Sequence, residues 1–121
     1  MFDIFTNEVF MNGKLVRDKI PEFMKEQGMS PQTRVLEIGE FQEALKEKLL
    51  EEALEVKEAT SLEALTEELA DCLEVLEALA RSHGILLSQV HAFRQKKLQS
   101  KGGFGTRTYF HFWNVESPSS Q

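Results

Sequence analysis

Much of what could give this chain a quick identity is missing. It has a single cysteine, Cys72, so no internal disulfide is available, and that fits a reducing compartment. No stretch approaches the roughly 18 apolar residues of a membrane span, so none is expected. The opening MFDIFTNEVF is partly apolar, but it is short, acidic and lacks a basic start, and it does not read as a signal peptide. A cytoplasmic location is the expectation that remains. Positive charge is scarce: 14 Lys and Arg face 20 Asp and Glu, for a net charge of -6. That balance argues against general nucleic-acid binding. His83 and His91 lack metal-ligand spacing, His111 falls in an aromatic stretch, and no internal repeat is visible.

What is present belongs to a globular protein of 121 residues, with 41% hydrophobic and 28% charged positions, enough for one domain. The few cations are unevenly placed. Lys14, Arg17 and Lys19 precede the acidic middle, and Arg94, Lys96, Lys97, Lys101 and Arg107 follow it. Pro21 suits the first turn of a short helix closed by Gly28. Residues 34–36 are a candidate short strand. A long helix is expected from about 39 to 58 and a second from Ser61, a good N-cap, to about 82, where His83-Gly84 stops it. Ser88 is a candidate cap for a last helix reaching about 100 before Gly102-Gly103. Residues 106–113 alternate aromatic and polar, as in a strand or extended arm. The organisation expected is an arm over 1–13, an all-α domain over 14–113 and a disordered tail over 114–121. Both long helices carry apolar residues on more than one face, with Leu50 and Leu54 opposite Leu45 and Leu49. A bundle of about four helices, two of them long, completed by a second copy is therefore expected.

The chemistry is carried by four carboxylates. Glu52 and Glu55 read E-A-L-E, Glu68 and Asp71 read E-L-A-D, and twelve residues separate the pairs. Spacing of i, i+3 puts both members of a pair on one side of a helix. A break at Ala59-Thr60-Ser61 folds the helices back, and counting outward from it sets Glu52 level with Glu68. Around the axis, Leu45, Leu49, Glu52 and Val56 share one stripe, so Glu52 sits in the middle of an apolar face. On the second helix Glu63, Glu67, Glu74 and Glu77 form an ordinary wet face. Leu62, Leu65, Leu69, Leu73, Leu76 and Ala80 form the expected core stripe. Glu68 shares a separate flank with Ala64, Cys72, Val75 and Leu79, and Asp71 lies at its border. An E-x-x-E alone usually marks a solvated face. Two such pairs on packed helices, away from the wet face, favour a hard divalent cation, Mg²⁺ above all, with oxygen ligands.

The paired E-x-x-E and E-x-x-D, together with KLVRDKIP (14–21) and KGGFGTR (101–107), resemble the MazG-like all-α nucleoside triphosphate pyrophosphohydrolases, in particular their phosphoribosyl-ATP pyrophosphohydrolase-like subgroup. The resemblance spans about residues 14 to 110. It implies Mg²⁺-dependent cleavage between the α- and β-phosphates of a nucleotide, with Glu52, Glu55, Glu68 and Asp71 as metal ligands. Glu52 would thus serve the chemistry directly, and Glu51 is the candidate base that orients water, set against a plain surface glutamate paired with Lys48 or Lys57. Arg17, Lys19, Lys97, Lys101 and Arg107 are candidates for phosphate contacts, and Asp18 for bracing the basic segment. The expected substrate is a nucleoside triphosphate, with a noncanonical one in a house-cleaning role among the candidates. Alternatives are the phosphoribosyl-ATP step of histidine biosynthesis and a non-catalytic helical interaction module. Specific nucleic-acid binding ranks last.

Overall fold

The computed structural model describes residues 13–113; the expected arm and tail otherwise fall outside them. The architecture is an all-α helical bundle: α1 is Ile20–Glu26, α2 Ile38–Glu58, α3 Leu62–Ser82 and α4 Leu87–Lys101. There is no strand among the described residues, so residues 34–36 and 106–113 are irregular. A strand needs a partner edge to satisfy its backbone, and none of those residues offers one. None of the helices is long and apolar enough to cross a membrane.

The chain divides into two compact units, the first ending at Leu87 and the second beginning at Ser88. The first is dominated by α2 and α3, 21 residues each and therefore roughly 30 Å long, packed directly against one another. Local chemistry fixes their ends. At the start of α2 the Glu37 N–H donates to Glu40 Oε1 at 3.2 Å, and Arg34 holds the same carboxylate with contacts of 3.1 and 3.2 Å. At the turn, Ala59 and Ser61 are both extended, and Ser61 Oγ accepts from the Ala64 N–H at 3.0 Å. Helices α1 and α3 end alike. Gly28 (φ +86°) and Gly84 (φ +73°) take the left-handed conformation that only glycine adopts freely. The following N–H groups, of Met29 and Ile85, reach back to the carbonyls of Met24 and Ala80 at 3.0 and 2.9 Å. Gln42 Nε2 donates to the Ser82 carbonyl at 2.9 Å, tying the first turns of α2 to the last turn of α3. The two helices are thus pinned at both ends of an antiparallel hairpin.

The core reverses one expectation. On α2 the predicted stripe does turn inward: Leu45 and Glu52 are buried, Leu49 and Val56 half-buried. On α3 the flank of Ala64, Glu68, Cys72, Val75 and Leu79 meets α2, while Leu62, Leu69, Leu73 and Leu76 of the supposed core stripe are exposed. Periodicity finds both apolar stripes of a helix but not which one a given neighbour covers. Only Met24, Leu45, Val75 and Ala80 are buried hydrophobics among the described residues, alongside two buried glutamates. The second unit holds α4, none of whose side chains is buried. Ser88 lies within its first turn rather than before it. A turn from Phe104 to Arg107 follows, closed by the Arg107 N–H donating to the Phe104 carbonyl at 3.1 Å.

Candidate metal centre

Glu52 is the most buried side chain described, at 2% exposure, and Glu68 follows closely at 5%. Each is carried inward by the stripe it belongs to, and the hairpin turn sets them level. Together with Asp71 they bring carboxylate oxygens within 4.8 Å of one another. Within a protein, three such charges repel by several kcal/mol at an effective dielectric of about 20. The proton affinities record that repulsion. Burial, reinforced by Asp71, Glu51 and Glu68 and only partly offset by Lys48, pushes Glu52 up from the usual 4.5 to about 7. Glu68 is also raised, first by burial, then by the neighbouring Asp71 and the charge of Glu55. Burial and the three acids likewise push the Cys72 thiol up, keeping it neutral and unreactive.

One oxygen decides what this cluster is suited to. Glu68 Oε1 is buried and has no hydrogen-bond partner, a state that is expensive and rare in folded proteins. A hard divalent cation supplies what it lacks, since it takes oxygen ligands only and compensates several anions at once. The residues present therefore fit Mg²⁺, with Glu52, Glu68 and Asp71 as the ligands that converge. Glu55 is half-buried and close enough to raise the Glu68 pKa by its charge, but it lies outside the converging trio.

The basic segment before α1 is attached to both helices. Lys14 Nζ donates to Glu51 Oε2 on α2, and Arg17 Nη2 donates to Asp71 Oδ1 on α3 at 2.6 Å. Lys48 lies 3.4 Å from the other Glu51 oxygen, so both oxygens of that carboxylate already face ammonium groups. Burial is the main influence on Lys14 and lowers its pKa, against the pull of Glu51. Lys14 and Lys48 have no site role in the sequence analysis, and no local pattern singles them out, because their partner Glu51 is reached by Lys14 across 37 positions. Asp18, expected to brace this segment, makes no ion pair with a described residue. Lys19 is the exposed N-cap of α1. Lys97 and Lys101 are exposed on α4, and Arg107 is exposed with φ +56° in the turn beyond it. The leading segment also walls a cleft of about 140 Å³ together with Met24, Pro31, Gln32 and Thr33. That is well below the ~300 Å³ of a typical ligand pocket.

Comparison with protein-family models, with curated protein sequences and with solved structures finds no match.

Proposed function

We propose that this chain is a Mg²⁺-dependent nucleotide pyrophosphohydrolase that cleaves the α–β phosphate bond of a nucleoside triphosphate, giving a monophosphate and pyrophosphate. The observation that carries the reading is the convergence of Glu52, Glu68 and Asp71 around a buried oxygen with no partner. A helical interaction module has no use for such an arrangement, because it weakens the fold until a cation arrives. The motifs at 14–21 and 101–107 support the choice of substrate, by resemblance alone.

In this reading Glu52, Glu68 and Asp71 hold Mg²⁺, and Glu55 completes the ligand set from the turn side. The bound ion would supply charge neutralisation for phosphate oxygens and a lowered pKa for water. Water adds at the α-phosphorus and releases its proton to bulk solvent, the bond to the bridging oxygen breaks, and pyrophosphate leaves with that electron pair. Arg17 and Lys19 bind phosphate oxygens from the leading segment; Lys97, Lys101 and Arg107 are phosphate candidates from the sequence and the resemblance alone. Glu51, faced by two lysines, serves better as the anchor of the leading segment than as a base. The exposed Leu62, Leu69, Leu73 and Leu76, with Leu50 and Leu54, support a homodimer in which a second copy covers them. A cytoplasmic location accords with Mg²⁺ and nucleotide supply.

A screen of nucleoside triphosphates with Mg²⁺, read as pyrophosphate release, tests the proposal. Glu68→Gln and Asp71→Asn should lose at least about 10²-fold in rate while keeping their far-UV circular dichroism. Full activity in either variant would overturn the site.

A further inference from the structure

Asp71 is claimed twice. Its Oδ1 accepts from Arg17 Nη2 at 2.6 Å, and the same carboxylate belongs to the trio gathered around the unpartnered Glu68 oxygen. A guanidinium and a divalent cation cannot both sit against one small carboxylate without strong mutual repulsion. The two attachments of the leading segment also differ in kind. The Lys14 side chain is 4% exposed where it meets Glu51, whereas Arg17 is 57% exposed where it meets Asp71. The first contact is shielded from water and hard to replace. The second is open to water and weak by nature.

We infer that Arg17 is a displaceable stand-in for the divalent cation. It neutralises Asp71 in the metal-free protein and is released when the ion binds, while Lys14 on Glu51 keeps the segment in place. The freed guanidinium then stays at the rim of the centre, where it is positioned to take phosphate oxygens in a forked contact. Metal loading and readiness for a polyphosphate are therefore linked through one side chain. This inference rests on the metal-centre reading above, and deepens it by making Arg17 a competitor of the ion before it becomes a partner of the substrate.

The test is calorimetric titration of Mn²⁺, without nucleotide, into the full chain as wild type, Arg17→Ala, Arg17→Lys and Lys19→Ala. Arg17→Ala should bind Mn²⁺ about two- to fivefold more tightly than wild type, the range expected of a released exposed ion pair. Lys19→Ala, which removes the same charge without touching Asp71, should change the affinity by less than about twofold. Arg17→Lys should fall between wild type and alanine. With Mn²⁺ saturating, inorganic pyrophosphate should bind Arg17→Ala more weakly than wild type, so the two affinities move in opposite directions. Damage to the fold would lower both. Tighter Mn²⁺ binding by Lys19→Ala to the same degree, or none by Arg17→Ala, overturns the inference and leaves the metal centre standing. Absence of Mn²⁺ binding by wild type overturns the centre itself, and the inference with it.

Discussion

Replacing Glu52 by glutamine should make the metal-free protein more stable at alkaline pH and slightly less stable, by somewhat under about 1 kcal/mol, near pH 4.5. The folded protein holds the Glu52 proton with a pKa of about 7, against the usual 4.5. Between those values the native state binds more protons than the unfolded chain. Stability must therefore fall as pH rises through that window and level off above it. Each tenfold change in proton affinity is worth about 1.4 kcal/mol, so the full penalty above pH 7 is roughly 3 kcal/mol. A buried glutamine amide lacking ideal partners gives back about 1 kcal/mol of the gain. The expected net stabilisation is thus about 2 kcal/mol at pH 8, or close to 8 °C in Tm for a domain of this size. Urea unfolding with a chelator present, at pH 4.5, 6 and 8, measures it. Added Mg²⁺ should narrow the gap, because wild type gains binding free energy that the variant largely forgoes. A wild-type-to-variant difference that is the same at all three pH values would refute the electrostatic reasoning, whatever its sign.

Two further predictions concern the supports of the site. Glu51→Ala takes an ion-pair partner from the buried Lys14 and should destabilise the fold by about 1–3 kcal/mol in urea unfolding, with Glu51→Gln less severe; a change below about 0.5 kcal/mol would mean the leading segment is held by something else. Leu73→Asp, at a leucine 65% exposed in the single chain, should reduce the sedimenting species to a 13.9 kDa monomer without loss of helicity, and a wild type already monomeric at tens of micromolar would remove the case for a covered leucine face.

Most of the hairpin was legible before any coordinates, because its determinants are local. Ser61, Gly28 and Gly84 act on the backbone within a few residues of themselves. Counting from the turn set Glu52 level with Glu68, since both helices have the same rise. The burial of Glu52 followed from its neighbours Leu45, Leu49 and Val56. What depended on distant partners was harder to read. Two apolar stripes on α3 compete for α2, and the one with more leucine lost to the one carrying Glu68, Cys72 and Val75. Pairings such as Lys14 with Glu51 and Arg17 with Asp71 join residues 37 and 54 positions apart, and no local pattern announces which acid a given cation will choose. Of the strand or extended arm expected at 106–113, the strand does not form for a related reason, as alternation describes a face without supplying an edge to pair with.

Those long separations set an order of assembly. The α2–α3 hairpin closes through a turn of three residues, Ala59 to Ser61, whereas the leading segment must cross far more chain to reach either of its anchors. Short closures form early and long ones late, so the hairpin comes first and the strap of residues 14–17 docks afterwards. The acids are thus gathered by the shorter closure, and the arginine that guards them joins through the longer one.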